Sequence, residues 1–273
     1  MAPKKKTKNV DQGVALGSAL VSFDSWTPLS GLGEVFDRSL VAGAKSAAGG
    51  LAPMISTEDG VMRDGANEIG DTLDAVILGI AVEHQLYPGR YVKGKRSSPI
   101  CFYVGPDEEK AAPHETSPDK QSGSCATCIK NTFGSAGGGS NAKACRQGRR
   151  LLILPLGEND DPSTAPLRRL RVPPTSIKYI SAYVDEVEAR GFEVPSIVTR
   201  ISVAGHEKNR FEMTFHPRRP LRSKDELLAV ARQAAKGKGE LFALPMLGND
   251  SAGGLAGTAQ KGGAPGRRQV VKR

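Results

Sequence analysis

Residues 173–191 read PPTSIKYISAYVDEVEARG, and this stretch decides the fold. Pro173 and Pro174 lead into Thr175 and Ser176, whose hydroxyls suit the N-cap of a following helix. Ile177, Ile180, Val184 and Val187 then recur with a period near 3.6, and Asp185, Glu186 and Glu188 lie off that face. Gly191 follows Arg190 and supplies the C-terminal stop. The reading predicts one amphipathic helix over 175–190.

Working outward from this helix, the sequence turns β-rich on both sides. Thr72 to Ile80 carries apolar residues on both faces, Leu73, Ala75, Ile77 and Gly79 against Val76, Leu78 and Ile80, the pattern of a central strand. Pro99 to Val104, Arg150 to Leu156 and Leu167 to Val172 read as further strands, the last with Arg169 and Arg171 on one face. Residues 51–64 form a hairpin around Asp59-Gly60. Beyond the helix, Ser196 to Val203 and Arg210 to His216 pair across a short turn. Ser223 with Glu226 makes a capping box before Leu227, Leu228 and Val230, which predicts a second helix over about 223–235.

About three strands precede the first helix and two follow it. That is the element order of a five-stranded Greek-key barrel of the OB type, with its helix between strands three and four. The predicted class is a β-rich α+β fold. An OB-like domain spans 51–216 with an insertion at 101–145, and a C-terminal helix lies within 217–240. A generic α+β sheet is the alternative. Residues 1–50 read as a weakly ordered basic segment in which Phe23, Trp26 and Phe36 offer a docking piece. Residues 241–273 read as a flexible, Gly-rich basic tail, because such sequence buries too little apolar surface to offset its ordering entropy.

The chain has 273 residues, a net charge of +9 and a pI near 9.4. This excess points to a polyanionic partner. The longest apolar run, Ala75 to Val82, is far too short to span a membrane, and the N-terminus lacks a signal-peptide core. The reading is an intracellular protein, where cysteines serve metal binding or chemistry rather than disulfides.

There are four cysteines, Cys101, Cys125, Cys128 and Cys145, spaced C-x23-C-x2-C-x16-C. The C-x2-C pair is a chelating knuckle, and two further thiolates complete the tetrahedron that Zn²⁺ accepts. Gly and Ser around the pair suit tight loops. The segment 105–144 has almost no apolar periodicity, so metal binding is the natural source of its folding energy. His114 lies in the same loop and competes with Cys101 for a ligand position. Four thiolates with no acid or base beside them describe a closed structural site. The deaminase Glu is missing after Cys101, and no H-E-x-x-H, Walker A or G-x-S-x-G motif occurs, so the reading is not an enzyme.

Several stretches together resemble a family of zinc-containing proteins of tailed bacteriophages: Pro99-Ile-Cys-Phe, Gln121-Ser-Gly-Ser-Cys-Ala-Thr-Cys, Asn131-Thr-Phe-Gly-Ser, Lys143-Ala-Cys-Arg, Leu170-Arg-Val-Pro-Pro-Thr-Ser and Val198-Thr-Arg-Ile-Ser. The resemblance covers roughly 70–216. Gly105-Pro106-Asp107 stands where members usually have an aspartate-glycine turn, and Ile129 where they often have Pro. Members are often described as candidate single-stranded DNA-binding proteins. The resemblance implies that all four cysteines belong to the shared pattern, which favours Cys101 over His114. It also implies a phage protein of the host cytoplasm.

The leading expectation is a single-stranded DNA-binding protein of phage replication or recombination, with one structural Zn²⁺ per chain and no membrane role. Such proteins track the backbone with cations and stack bases on aromatics. The stacking candidates are Tyr87, Tyr91, Phe102, Tyr103 and Phe133. The phosphate-contact candidates are Arg90, Lys93, Lys95, Arg96, Arg149, Arg150, Arg168, Arg169 and Arg171. The alternative is a zinc-stabilised protein-interaction or virion-associated module that binds no nucleic acid.

Overall fold

The structure, a computed structural model, describes residues 26, 52–58, 60–89, 97–157, 160–206 and 210–244. The segment 1–50 apart from Trp26, the run 90–96 with Arg90, Tyr91, Lys93, Lys95 and Arg96, and the tail from 245 onward lie outside the described residues. Among those described are nine strands, β1 (Met54–Glu58), β2 (Val61–Asp64), β3 (Asn67–Gly70), β4 (Thr72–Leu86), β5 (Cys101–Gly105), β6 (Arg146–Pro155), β7 (Arg168–Val172), β8 (Ile197–His206) and β9 (Arg210–Pro220), and two α-helices, α1 (Ile177–Ala189) and α2 (Lys224–Leu241). The fold is β-rich α+β.

All nine strands join one sheet, eight of them in the order β3-β2-β1-β7-β6-β4-β8-β9, with β5 joined to β4 off that path. β4 is its centre. One edge of β4 pairs with β6 along nearly its whole length. The other edge is shared, β8 taking residues 72–76 and β5 taking 82–86. Every pairing is antiparallel except the short parallel contact of β1 with β7.

The sheet curls into a half-barrel. Gly60, at the β1–β2 turn, comes so close to β8 that an added Cβ would sit 3.3 Å from the Gly205 nitrogen, although four strands separate β2 from β8 in sheet order. Gly60 holds φ +80°, a conformation that the tight turn requires and side chains resist.

Each face of the sheet packs one helix. Residues from both ends of the sheet, Ile55 and Met62 on one side and Met213 and Phe215 on the other, meet around Ile180, Tyr183 and Val187 of α1. α1 therefore fills the concave side. α2 covers the opposite face, where Leu227, Val230, Ala234 and Leu241 pack on Val76, Leu78, Leu152 and Leu154.

The predicted elements hold with adjusted bounds and number. The sheet has nine strands where the reading has five, and α1 follows the seventh of them. The hairpin at 51–64 extends into a third strand, and the strand read at Pro99 to Val104 is β5, on the β4 edge. A register shift between Ile77 and Gly79 breaks strict alternation, so Ile80 turns to the α1 side and Gly79 to α2. Tyr183, absent from the predicted apolar face, is 2% exposed and shares a hydrogen bond with Thr199. Ser176 stands at the N-cap, but its hydroxyl accepts the Met213 N–H at 2.8 Å and so ties the helix start to β9. Gly191, at φ +77°, ends the helix as expected. At α2 the Ser223 hydroxyl accepts the Glu226 N–H at 3.1 Å. That helix runs six residues past 235 to Leu241, because Gly237 lets it lie close on Leu152 and Leu167.

Candidate metal centre and its basic surround

The far half of β4 abandons the apolar pattern. Glu83, His84 and Gln85 follow Val82, and all three are buried. The three rows of residues across β5, β4 and β6 here are Val104–Glu83–Gly148, Tyr103–His84–Gln147 and Phe102–Gln85–Arg146. Leu86 pairs with Cys101 one row further, and Cys145 directly precedes β6, so both outer thiols flank the end of β4. Leu86, Cys101 and Cys145 form their own small apolar cluster.

The other two thiols arrive on the loop. The Cys125 N–H donates to the Ala111 carbonyl at 2.8 Å, and a short 3₁₀ turn, Ile129–Asn131, follows Cys128. The Asn131 amide donates to the Cys125 carbonyl at 2.8 Å, and the Cys145 N–H returns to the Lys130 carbonyl at 2.8 Å. All four cysteines are buried and none is in a disulfide. They line one cavity of ≈ 10 Å³ with His84, Leu86 and Phe102. That space admits one small sphere and no organic ligand. Burial, helped by the neighbouring thiols, pushes Cys125 up to about 11 and Cys145 up to about 12. As placed, no group of three or more His, Cys, Asp or Glu side chains among the described residues is set to grip an ion. The donor set suits Zn²⁺ in chemistry, burial and count.

His114 does not line this cavity. Its ring stacks on Phe102 at 5.7 Å, and Nδ1 lies 2.9 Å from the Thr116 hydroxyl. The histidine at the cavity wall is His84, 1% exposed, with Nε2 2.8 Å from Glu108. The Glu108 carboxylate also accepts from Gln147 at 3.1 Å and pairs with Arg149 at 3.1 Å. Donation from His84 holds the Glu108 carboxyl below its ordinary range despite partial burial. The sequence reading missed this bridge. Its one local signal is the polar triplet 83–85 inside an otherwise apolar strand.

On the α2 face, Glu83 is the hub. It binds the guanidinium of Arg150, which is 3% exposed, and that of Arg171 at 2.7 Å. Burial alone would raise the Glu83 carboxyl, but the two arginines overrule it and the net shift is downward. Arg150 also donates to the carbonyls of Leu241 and Ala243, at the end of α2.

The described candidates for nucleic-acid contact therefore divide. Arg150 is internal, Arg171 and Arg149 are engaged by carboxylates, Arg168 pairs with Asp64 at 2.9 Å, and Arg169 donates to the Ala52 carbonyl at 2.9 Å. Phe102 is core at 2% exposed, and the half-buried Tyr103 donates its hydroxyl to the Asp107 carbonyl at 2.9 Å. Tyr87 is half-buried with the Arg146 guanidinium 5.6 Å above its ring. Phe133 is 74% exposed, with the Lys143 ammonium 4.9 Å from its centroid. No helix among the described residues is long and apolar enough to cross a membrane. Comparison with family models, curated proteins and solved structures gives no match for this chain.

Proposed function

We propose that this chain is a non-enzymatic single-stranded DNA-binding protein whose loop is held by one structural Zn²⁺ on Cys101, Cys125, Cys128 and Cys145. The observation that carries the nucleic-acid reading is the charge of residues 120–157, which contain six Lys and Arg and no Asp or Glu. Arg149 and Arg150 of that run are absorbed by Glu108 and Glu83. Lys120, Lys130, Lys143 and Arg146 are not in ion pairs with carboxylates among the described residues, and cations so placed bind phosphates by releasing counterions.

The metal reading is supported by four buried thiols, none in a disulfide, around one cavity. Burial keeps thiols protonated, and a bound divalent cation is what converts them to thiolates. Between Pro106 and Ala144 only Ala111 and the two knuckle cysteines are buried apolar residues, so an ion supplies what packing does not. An OB-like role for the sheet draws support from its curl. A phage setting in the host cytoplasm, with replication or recombination proteins as partners, rests on the resemblance of the cysteine-loop motifs.

The test is anisotropy of the full-length protein with single-stranded and duplex oligonucleotides at two salt concentrations, alongside metal analysis of protein purified without chelator. The expected result is one zinc per chain and a preference for the single strand that weakens steeply with salt. Equal binding of duplex, or none of either, refutes the function. Absence of zinc refutes the metal. The second reading, a zinc-stabilised interaction or virion-associated module, is favoured by one observation, the exposed apolar pair Ile129 and Phe133.

A further inference from the structure

Ile129 and Phe133 are 72% and 74% exposed, and the only other large apolar side chain exposed among the described residues is Met54 at 41%. The two stand four residues apart on the outer side of the cysteine loop, across the 3₁₀ turn that follows Cys128. Their exposure is not slack. The Ser135 hydroxyl donates to the Lys130 carbonyl at 2.9 Å and accepts the Ala144 N–H at 2.9 Å, while Asn131 and Cys145 close the same turn. A well-braced backbone thus holds two apolar groups in water.

The surroundings of this pair are cationic. Lys143 stands over the Phe133 ring and is itself held by Asn131 at 3.2 Å and Gln147 at 2.9 Å. Lys130 lies in the turn, and Arg146 stands over Tyr87 at the start of β6. No carboxylate occurs in the sequence from 120 to 157. An uncharged apolar protein surface would cover Ile129 and Phe133 but leave these cations unmatched. A ligand with flat apolar faces and a regular anionic backbone matches both features, and its faces are open only when unpaired.

We propose that the outer tip of the cysteine loop, centred on Phe133 and Ile129 and flanked by Lys130, Lys143 and Arg146, is where an unpaired nucleic-acid strand docks. A base stacks on the ring face that Lys143 leaves open, and the three cations follow the phosphates. This inference rests on the single-strand reading above and adds where the strand lies. It sets the contact on the loop, away from the half-barrel's hollow, which α1 already fills.

The experiment is anisotropy of fluorescein-labelled oligothymidylate with zinc-loaded full-length protein and its variants. Phe133→Ala is expected to lose about ten- to a hundredfold in affinity, with an unchanged salt dependence because no charge is removed. Lys130→Gln with Lys143→Gln is expected to weaken binding and flatten the dependence on log salt by one to two contacts. Phe133→Trp keeps a stacking platform, and its emission should be quenched when the strand binds. Wild-type affinity in zinc-loaded Phe133→Ala, or no quenching of Phe133→Trp, overturns the docking site and leaves the single-strand reading standing. If the wild-type protein does not prefer oligothymidylate to a duplex, that reading falls and takes the site with it, and the apolar tip is left to a protein partner.

Discussion

The half-barrel and the cysteine loop are stabilised by opposite means. The sheet and its two helices bury contiguous apolar faces, with Ile77, Leu151, Ile153 and Leu170 inaccessible on one side and Val76, Leu152 and Leu154 on the other. The loop buries almost nothing apolar beyond its thiols and is braced by hydrogen bonds from Ser, Thr and Asn side chains to its own backbone. Such bonds each add only about 1 kcal/mol net, since water competes for the same groups. The lesson is one of division of labour. The sheet is held by its own packing, whereas on the proposed metal reading the loop is held by the ion in its cavity.

The largest expected effect strikes the apolar half. Ile180→Asp sets a charge in the hollow where the side chain is 2% exposed. It should cost about 4 kcal/mol or more in denaturant unfolding, and a folded, wild-type-like midpoint would break the comparison from the sheet side. The next acts on the loop. Cys128→Ser, or chelation of the wild type, should abolish hydrogen-exchange protection at Cys125, Asn131 and Cys145 while β4, β6 and β8 stay protected. Global unfolding on chelation would show that the two regions form one cooperative unit.

A smaller effect tests the helix–sheet contact. A Cβ on Gly237 would fall 2.5 Å from Leu152 Cδ2. Gly237→Val should therefore cost about 1–3 kcal/mol by overpacking, with zinc content unchanged.

The last prediction is a pH effect at Glu83. Its folded-state carboxyl titrates below the ordinary value of 4.5, so the unfolded chain binds the proton first as pH falls. The stability that Glu83 confers is present above about pH 4.5 and is lost as pH falls through the lowered folded value. Glu83→Gln should be less stable near neutrality and should show a flatter loss of stability in acid. Parallel acid limbs in the two proteins would assign the titration to other carboxylates.

How much the sequence revealed follows from how local each signal is. The helix at 175–190, the β8–β9 hairpin and the capping box at Ser223 are readable because periodicity and caps lie within a few residues. The end of β4 is not. Glu83, His84 and Gln85 look like a strand exit, and what keeps them inside is Arg150, 67 residues away, and Glu108, 24 residues away. The same distance hides the duties of Arg149, Arg150 and Arg171, which read as a basic face because their carboxylate partners are remote in the chain. The cysteines are the opposite case. Their spacing is a local pattern, and the four thiols do gather at one cavity. Phe133 was identifiable only as an aromatic among small residues, and its exposure is a property of the folded turn.

The meeting of Gly60 with Gly205 works as a gauge for the half-barrel. Gly60, where an added Cβ would press on the Gly205 backbone, sets how far the ends of the sheet approach, and that spacing sets the volume left for α1. A larger residue at 60 would spread the ends and leave Ile180 and Tyr183 too small for the wider hollow. Curvature and helix bulk are thus tied to one another, so sequence drift at the turn is tolerable only when the helix face drifts with it.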